Sequence, residues 1–222
     1  VSNLTKAQLQ AKVDLLETDL RRMNRALGQA SIDLSIDEVN DFAEVTPHIS
    51  EHALEAIKRA QAEWALNVRE PEERIDTYIR SSAGLHWSWE EPYVKNGQFA
   101  WCGAFASFCY TKVRPLIRKK IFPSCYRLHT NWAKTSRYIH PDNLRAGDIV
   151  VVYSGKRAVQ GDHITLCVDA SEYLSTGSIT TIEGNAHGTL GDGSRGEGVI
   201  TRERARSEIA HVYRLLGEDF DE

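Results

Sequence analysis

The chain has 222 residues, 41% of them hydrophobic and 26% charged, with a formal net charge of −4 and a pI near 6.1. That length suits one full-sized domain plus a small appendage and excludes two complete cores, and the charge balance argues against broad nucleic-acid binding. No apolar run approaches the ~20 residues of a membrane-spanning helix, and the four cysteines (Cys102, Cys109, Cys125, Cys167) show no CxxC spacing, so neither a membrane span nor a disulfide framework is expected.

Leu9, Val13, Leu16, Leu20, Met23 and Leu27 recur at alternating steps of four and three, and Gly28 closes the pattern. This heptad stripe makes residues 1–30 a short coiled-coil-like amphipathic helix, docked on the body or used for self-association or a delivery or immunity partner. The opening residues 1–17 contain no apolar signal-peptide core. Residues 31–47 read as linker. A helix follows from about Ser50, a suitable N-cap, to Val68, with Ala53, Leu54, Ile57, Ala60, Trp64 and Leu66 as its apolar content. Pro71 can open the next helix, which carries Ile75, Tyr78 and Ile79 on one side.

The stretch from Gly84 to Ala100, with Trp87, Trp89, Pro92, Asn96 and Gly97, reads as loop. From Cys102 to about Ile117 a helix is expected, terminated or kinked by Pro115. The basic cluster Arg114, Arg118, Lys119 and Lys120 reads as a solvated helix end. Beyond Ala146 the period changes to two. Asp148–Tyr153, His163–Val168, Ile179–Glu183, Gly198–Arg202 and Ile209–Leu215 are strand-like, and the glycines from Gly188 to Gly198 form a hairpin connection. Residues 218–222 are left as an acidic tail. Helices first and strands afterwards define an α+β domain with an antiparallel sheet.

Chemistry concentrates in three segments. In Trp101-Cys102-Gly103-Ala104-Phe105 a loop feeds a helix with the cysteine at the turn, where unpaired N–H groups and the helix dipole stabilise a thiolate and can hold an oxyanion. Gly103 would let a substrate carbonyl approach the backbone. His163 opens the strand Gly161-Asp162-His163-Ile164-Thr165-Leu166-Cys167-Val168 on the face opposite Ile164, Leu166 and Val168. From there it can point at a helix terminus and exchange a proton with a thiol. In Ile182-Glu183-Gly184-Asn185, either Glu183 or Asn185 can accept from the far ring nitrogen of His163 and fix its tautomer. Trp87 and Trp89, ahead of the cysteine, suit a groove wall for a peptide or sugar. His86, His129, His140 and His187 show no metal-ligand spacing with each other.

In this order the segments resemble the CHAP family, the cysteine, histidine-dependent amidohydrolases/peptidases. The resemblance spans about His48 to Leu216 and rests on WCGAFASFC, GDIVVVY, GDHITLCVD and IEGN, with a similar helical lead-in, RAQAEWALNVREPEERIDTYIRSSAG. It implies a papain-like fold over residues 48–217 and cleavage of amides in the peptide part of bacterial peptidoglycan, by an amidase or endopeptidase of phage-lysin or antibacterial-effector type. Synthesis in the cytoplasm and action at the cell wall or periplasm, after release or secretion, would follow. Cys102 would be the nucleophile, His163 the base and Glu183 the orienting residue, with Asn185 matching the family's accompanying asparagine. Where members often carry Gln before the nucleophile, this chain has Trp101; Gln98 is the candidate replacement as substrate-binding donor beside Trp101. Val94-Lys95-Asn96-Gly97-Gln98 lacks the carboxylates of the calcium loop some relatives carry, so no metal or other cofactor is expected. The competing readings are a host-directed cysteine protease or deamidase toxin, and a non-catalytic coiled-coil adaptor with a papain-like binding domain.

Overall fold

The structure is a computed structural model that describes residues 49–70, 73–83, 100–121, 124–153 and 161–221. The expected stalk and linker, residues 1–47, and the candidate site residues Trp87, Trp89 and Gln98 lie outside the described residues.

Helix α1 spans Glu51–Ala65 and starts where the sequence marks it: Ser50 is extended and its hydroxyl accepts from the Ala53 N–H at 3.2 Å. Its buried face carries Ala56, Ile57, Ala60 and Glu63. Helix α2, Arg74–Ala83, buries Ile75, Tyr78 and Ile79. The buried Glu63 carboxylate is satisfied by Arg74 Nε at 2.9 Å and the Tyr78 hydroxyl at 2.7 Å, as a charge removed from water requires.

The expected continuous helix from Cys102 to Ile117 is two helices, α3 (Cys102–Cys109) and α4 (Pro115–Ile121). Pro115 starts the second helix, because at the first helical position its missing N–H costs nothing. Between them, Val113 bridges to Phe220. Arg118 is no solvated end: it donates to the carbonyls of Ser81 at 2.8 Å and Thr111, while Arg114 Nε donates to that of Phe220 at 3.1 Å. A further helix, α5 (Cys125–Trp132), was not foreseen from the sequence; Ser124 caps it by accepting from the Arg127 N–H at 3.2 Å.

Beyond Trp132 come β1 (Tyr138–Ile139), β2 (Ile149–Val152), β3 (His163–Asp169), the short helix α6 (Tyr173–Thr176), β4 (Ser178–Thr189), β5 (Arg195–Ala205) and β6 (Ile209–Tyr213). The strands form one sheet in the order β1-β6-β2-β3-β4-β5, every neighbouring pair antiparallel. The fold class is α+β, as the sequence indicates. Alternation sorts the two faces. Ile149, Val151, Ile164, Leu166 and Ile182 join Trp101, Phe105, Tyr78 and other helix residues in the main core. Val150, Val152, Cys167, Ile179 and Val212 form a second cluster with Leu144 and Tyr173 on the other side.

Of the expected acidic tail 218–222, the described residues 218–221 are not free. Asp219 is fully buried, its carboxylate accepting from Arg137 Nε at 2.8 Å and from the Leu216 N–H at 2.9 Å. Phe220 is buried as well, its ring stacked on His52 at 3.9 Å between centroids. An aspartate paired with a guanidinium can be buried, which composition alone does not reveal.

Candidate active site

Helix α3 is apolar all round, the mark of a helix with no solvent face, and Cys102 through Ser107 are buried. It lies close against the sheet because small residues face it. A Cβ on Gly103 would sit 3.0 Å from Ile164 Cδ1 and from the Ile121 carbonyl oxygen. Gly103 therefore makes room for β3 and α4. A Cβ on Gly184 would lie 2.4 Å from Trp101 Cζ3 and 2.6 Å from Phe105 Cβ.

This contact brings the start of α3 to the start of β3. Cys102 hydrogen-bonds His163, and the backbone N–H groups of Ile164 and Gly103 point at its sulfur. The far ring nitrogen, His163 Nε2, lies 3.0 Å from Glu183 Oε2, so Nδ1 is the nitrogen left for the thiol. With Nε2–H donated to the carboxylate, the imidazole is held in the tautomer that can accept a proton at Nδ1. Glu183 is fully buried and His163 nearly so.

The acidities follow from these contacts. Burial works to raise the Cys102 thiol, but hydrogen bonding to His163, the imidazolium charge and the two backbone N–H groups outweigh it and bring the thiol below its ordinary range. His163 moves the other way, up to about 9: burial opposes its charge, and the bonds and charges of Cys102 and Glu183 prevail. Cys109, Cys125 and Cys167 are buried and unpaired, and burial pushes each thiol up. One cysteine of the four is thus prepared to ionise.

Glu183 is held by more than His163. Its Oε1 accepts from the Thr181 hydroxyl at 2.6 Å and Arg204 Nε at 2.8 Å, and its Oε2 from Arg204 Nη2 at 2.7 Å. Burial favours protonation, yet the bonds to His163 and Arg204 take the carboxyl down to about 2. Thr181 and Arg204 escaped sequence reasoning. Thr181 shares the face of Glu183 by alternation, but Arg204 lies beyond the expected end of its strand at Arg202. The register of the long β4–β5 hairpin, with Ile179 opposite Arg204, is what reveals it.

The hydrogen bond of the Asn185 side chain goes to Trp101, and that of His163 Nε2 to Glu183. The sheet register shifts between Glu183 and Ala186, and Asn185 takes φ 59°, a left-handed conformation asparagine tolerates better than most residues. Its Oδ1 accepts from the Trp101 N–H at 3.3 Å. Trp101, expected beside the substrate, is fully buried, and its indole Nε1 donates to Glu70 Oε1 at 2.7 Å. Its large apolar ring fills the space above Gly184 and so belongs to the core instead of a groove wall. Among the described residues, no group of three His, Cys, Asp or Glu could hold a metal ion, and no helix is long and apolar enough to cross a membrane.

A buried thiol, an imidazole and a carboxylate in series, at the junction of a helix start with an antiparallel sheet, can perform thiol-dependent acyl transfer. No protein-family model matches the chain, and no curated protein matches it significantly.

Proposed function

We propose that this chain is a cysteine-dependent hydrolase of papain-like, CHAP-type architecture that cleaves amide bonds in the peptide part of bacterial peptidoglycan. The observation that carries the reading is the hydrogen-bonded series Cys102–His163–Glu183. The substrate class comes from the resemblance of the nucleophile, histidine and Glu-Gly-Asn segments to that family.

In this reading the Cys102 thiolate attacks the amide carbonyl carbon, forming a C–S bond and placing negative charge on the oxygen. The Cys102 backbone N–H at the start of α3 is the nearest candidate to receive that charge. His163, protonated at Nδ1, gives its proton to the departing amine as the C–N bond breaks. The resulting thioester is hydrolysed by a water whose proton returns to His163, and the thiolate leaves to restore the resting pair.

The test is digestion of purified Gram-negative peptidoglycan with the full chain. The reading requires new amino groups without new reducing ends, inhibition by iodoacetamide, and a loss of about 10⁴–10⁶ in kcat for Cys102→Ala. New reducing ends without amines would indicate glycosidase chemistry. An inert peptidoglycan with modification of a eukaryotic protein extract would favour a host-directed toxin.

A further inference from the structure

We propose that Arg204 is the fourth member of this site, a positioning residue that fixes the charge and orientation of Glu183 and, through it, of His163. The inference rests on the reading of Cys102 as nucleophile.

Arg204 is 1% exposed. A guanidinium so far from water is costly unless fully paired, and this one is. Nε and Nη2 grip the two oxygens of Glu183 at 2.8 and 2.7 Å, while Nη1 reaches Glu208 Oε1 at 2.8 Å. Glu208 is fixed in turn, its Oε2 accepting from the Ala205 N–H at 2.9 Å. With Thr181 on Oε1 and His163 on Oε2, each oxygen of Glu183 receives two donors. The carboxylate cannot turn, so the direction in which it accepts from His163 Nε2 is set by the fork behind it.

Charge gives the second half of the argument. The thiolate, imidazolium, carboxylate and guanidinium sum to zero within a buried volume. Removing the guanidinium leaves one net negative charge there, which uptake of a proton relieves. Among the described residues, the other ionisable groups around the series are Cys125 at the start of α5, Asp162 just before β3, and Glu208 beyond Arg204. None of them is a cation that could replace Arg204.

The experiment is the pH dependence of Cys102 alkylation by iodoacetamide, read by peptide mass spectrometry on the full chain, beside kcat and KM on peptidoglycan fragments. Arg204→Met should move the acid limb of alkylation upward by about one pH unit or more. Arg204→Lys, which keeps the charge but loses the fork, should return the limb to its wild-type position while kcat stays reduced at unchanged KM. Should Arg204→Met fail to fold, Arg204→Gln, which keeps an amide donor beside Glu183 but removes the charge, takes its place and must again move the limb upward. An unmoved limb in the variant that folds overturns the role of Arg204 and leaves the nucleophile intact. A wild-type Cys102 with an ordinary thiol limb overturns the proposed function instead.

Discussion

Asn185 accepts the backbone N–H of Trp101 at 3.3 Å, so the residue before Cys102 is tied to the residue two after Glu183. The sequence leaves Glu183 and Asn185 as alternative partners of His163; the structure pairs the imidazole with Glu183 and the Trp101 backbone with Asn185. The two side chains should therefore fail differently. Asn185→Ala should cost about 1–2 kcal/mol, from the lost bond and from alanine at a left-handed φ. It should lower kcat while leaving the pH limbs where they are. Glu183→Gln should move those limbs. Chemical denaturation and a pH–rate profile of both variants check this.

Gly184 is the tightest packing constraint at the site. A methyl group there would lie 2.4 Å from the Trp101 ring, which is itself buried against Tyr78 at 5.7 Å between centroids. Gly184→Ala should destabilise the fold by about 1–3 kcal/mol through overpacking. Because α3 is the element that must give way, turnover should fall further than the folded fraction does. Equal loss of the two would show that Cys102 is insensitive to this contact.

Acid should act through Glu183. Its carboxyl is depressed to about 2 in the fold against an ordinary 4.5, so its stabilisation is fully present above the ordinary value and is lost as pH falls toward 2. Between about pH 6 and pH 3 the wild type should lose on the order of 2 kcal/mol that Glu183→Gln does not lose. His163 has the opposite sign. Raised to about 9, it contributes stability that is complete below its ordinary 6.5 and disappears as pH climbs through 9, and the supply of protons to the leaving amine fails over the same interval. Urea titrations across pH, paired with an alkaline rate profile, read both effects.

The fold class, the Ser50 cap and five of the six strands could be read from periodicity, because each follows from local preference or alternation. Cys102 and His163 were equally visible, since each opens an element in a short segment containing glycine, whereas Glu183 lies in the middle of β4 and shared its candidacy with Asn185. The remaining features depend on partners distant in sequence. Pro115 reads as the end or a kink of one helix, whereas the chain leaves the helix earlier, bridges Val113 to Phe220 and begins a new helix at Pro115. Arg204 looks like any strand arginine until the hairpin register sets it behind Glu183. Trp101 reads as a substrate-binding position until Gly184 is found beneath it.

The chain end offers a test of long-range packing away from the site. Asp219 is buried and paired with Arg137, whose side chain also lies over the Trp132 ring at 5.8 Å. Asp219→Ala leaves a largely buried guanidinium without its main partner and should cost about 3–5 kcal/mol. Glu218, on the exposed side of the same arginine, should cost under 1 kcal/mol when removed, roughly the value of a surface pair. Thermal unfolding of the two variants separates an integral segment from a dispensable tail.

The most direct measurement is the identity of the cysteine labelled by limiting iodoacetamide on the folded chain near neutral pH, mapped by peptide mass spectrometry. With its thiol lowered by His163 and two backbone N–H groups, Cys102 should take essentially all of the label. Cys109, Cys125 and Cys167, raised by burial, should react only after denaturation. His163→Ala should abolish the selectivity. Labelling of Cys102 no faster than the other three, or selectivity that survives the loss of His163, would contradict an activated nucleophile at this position.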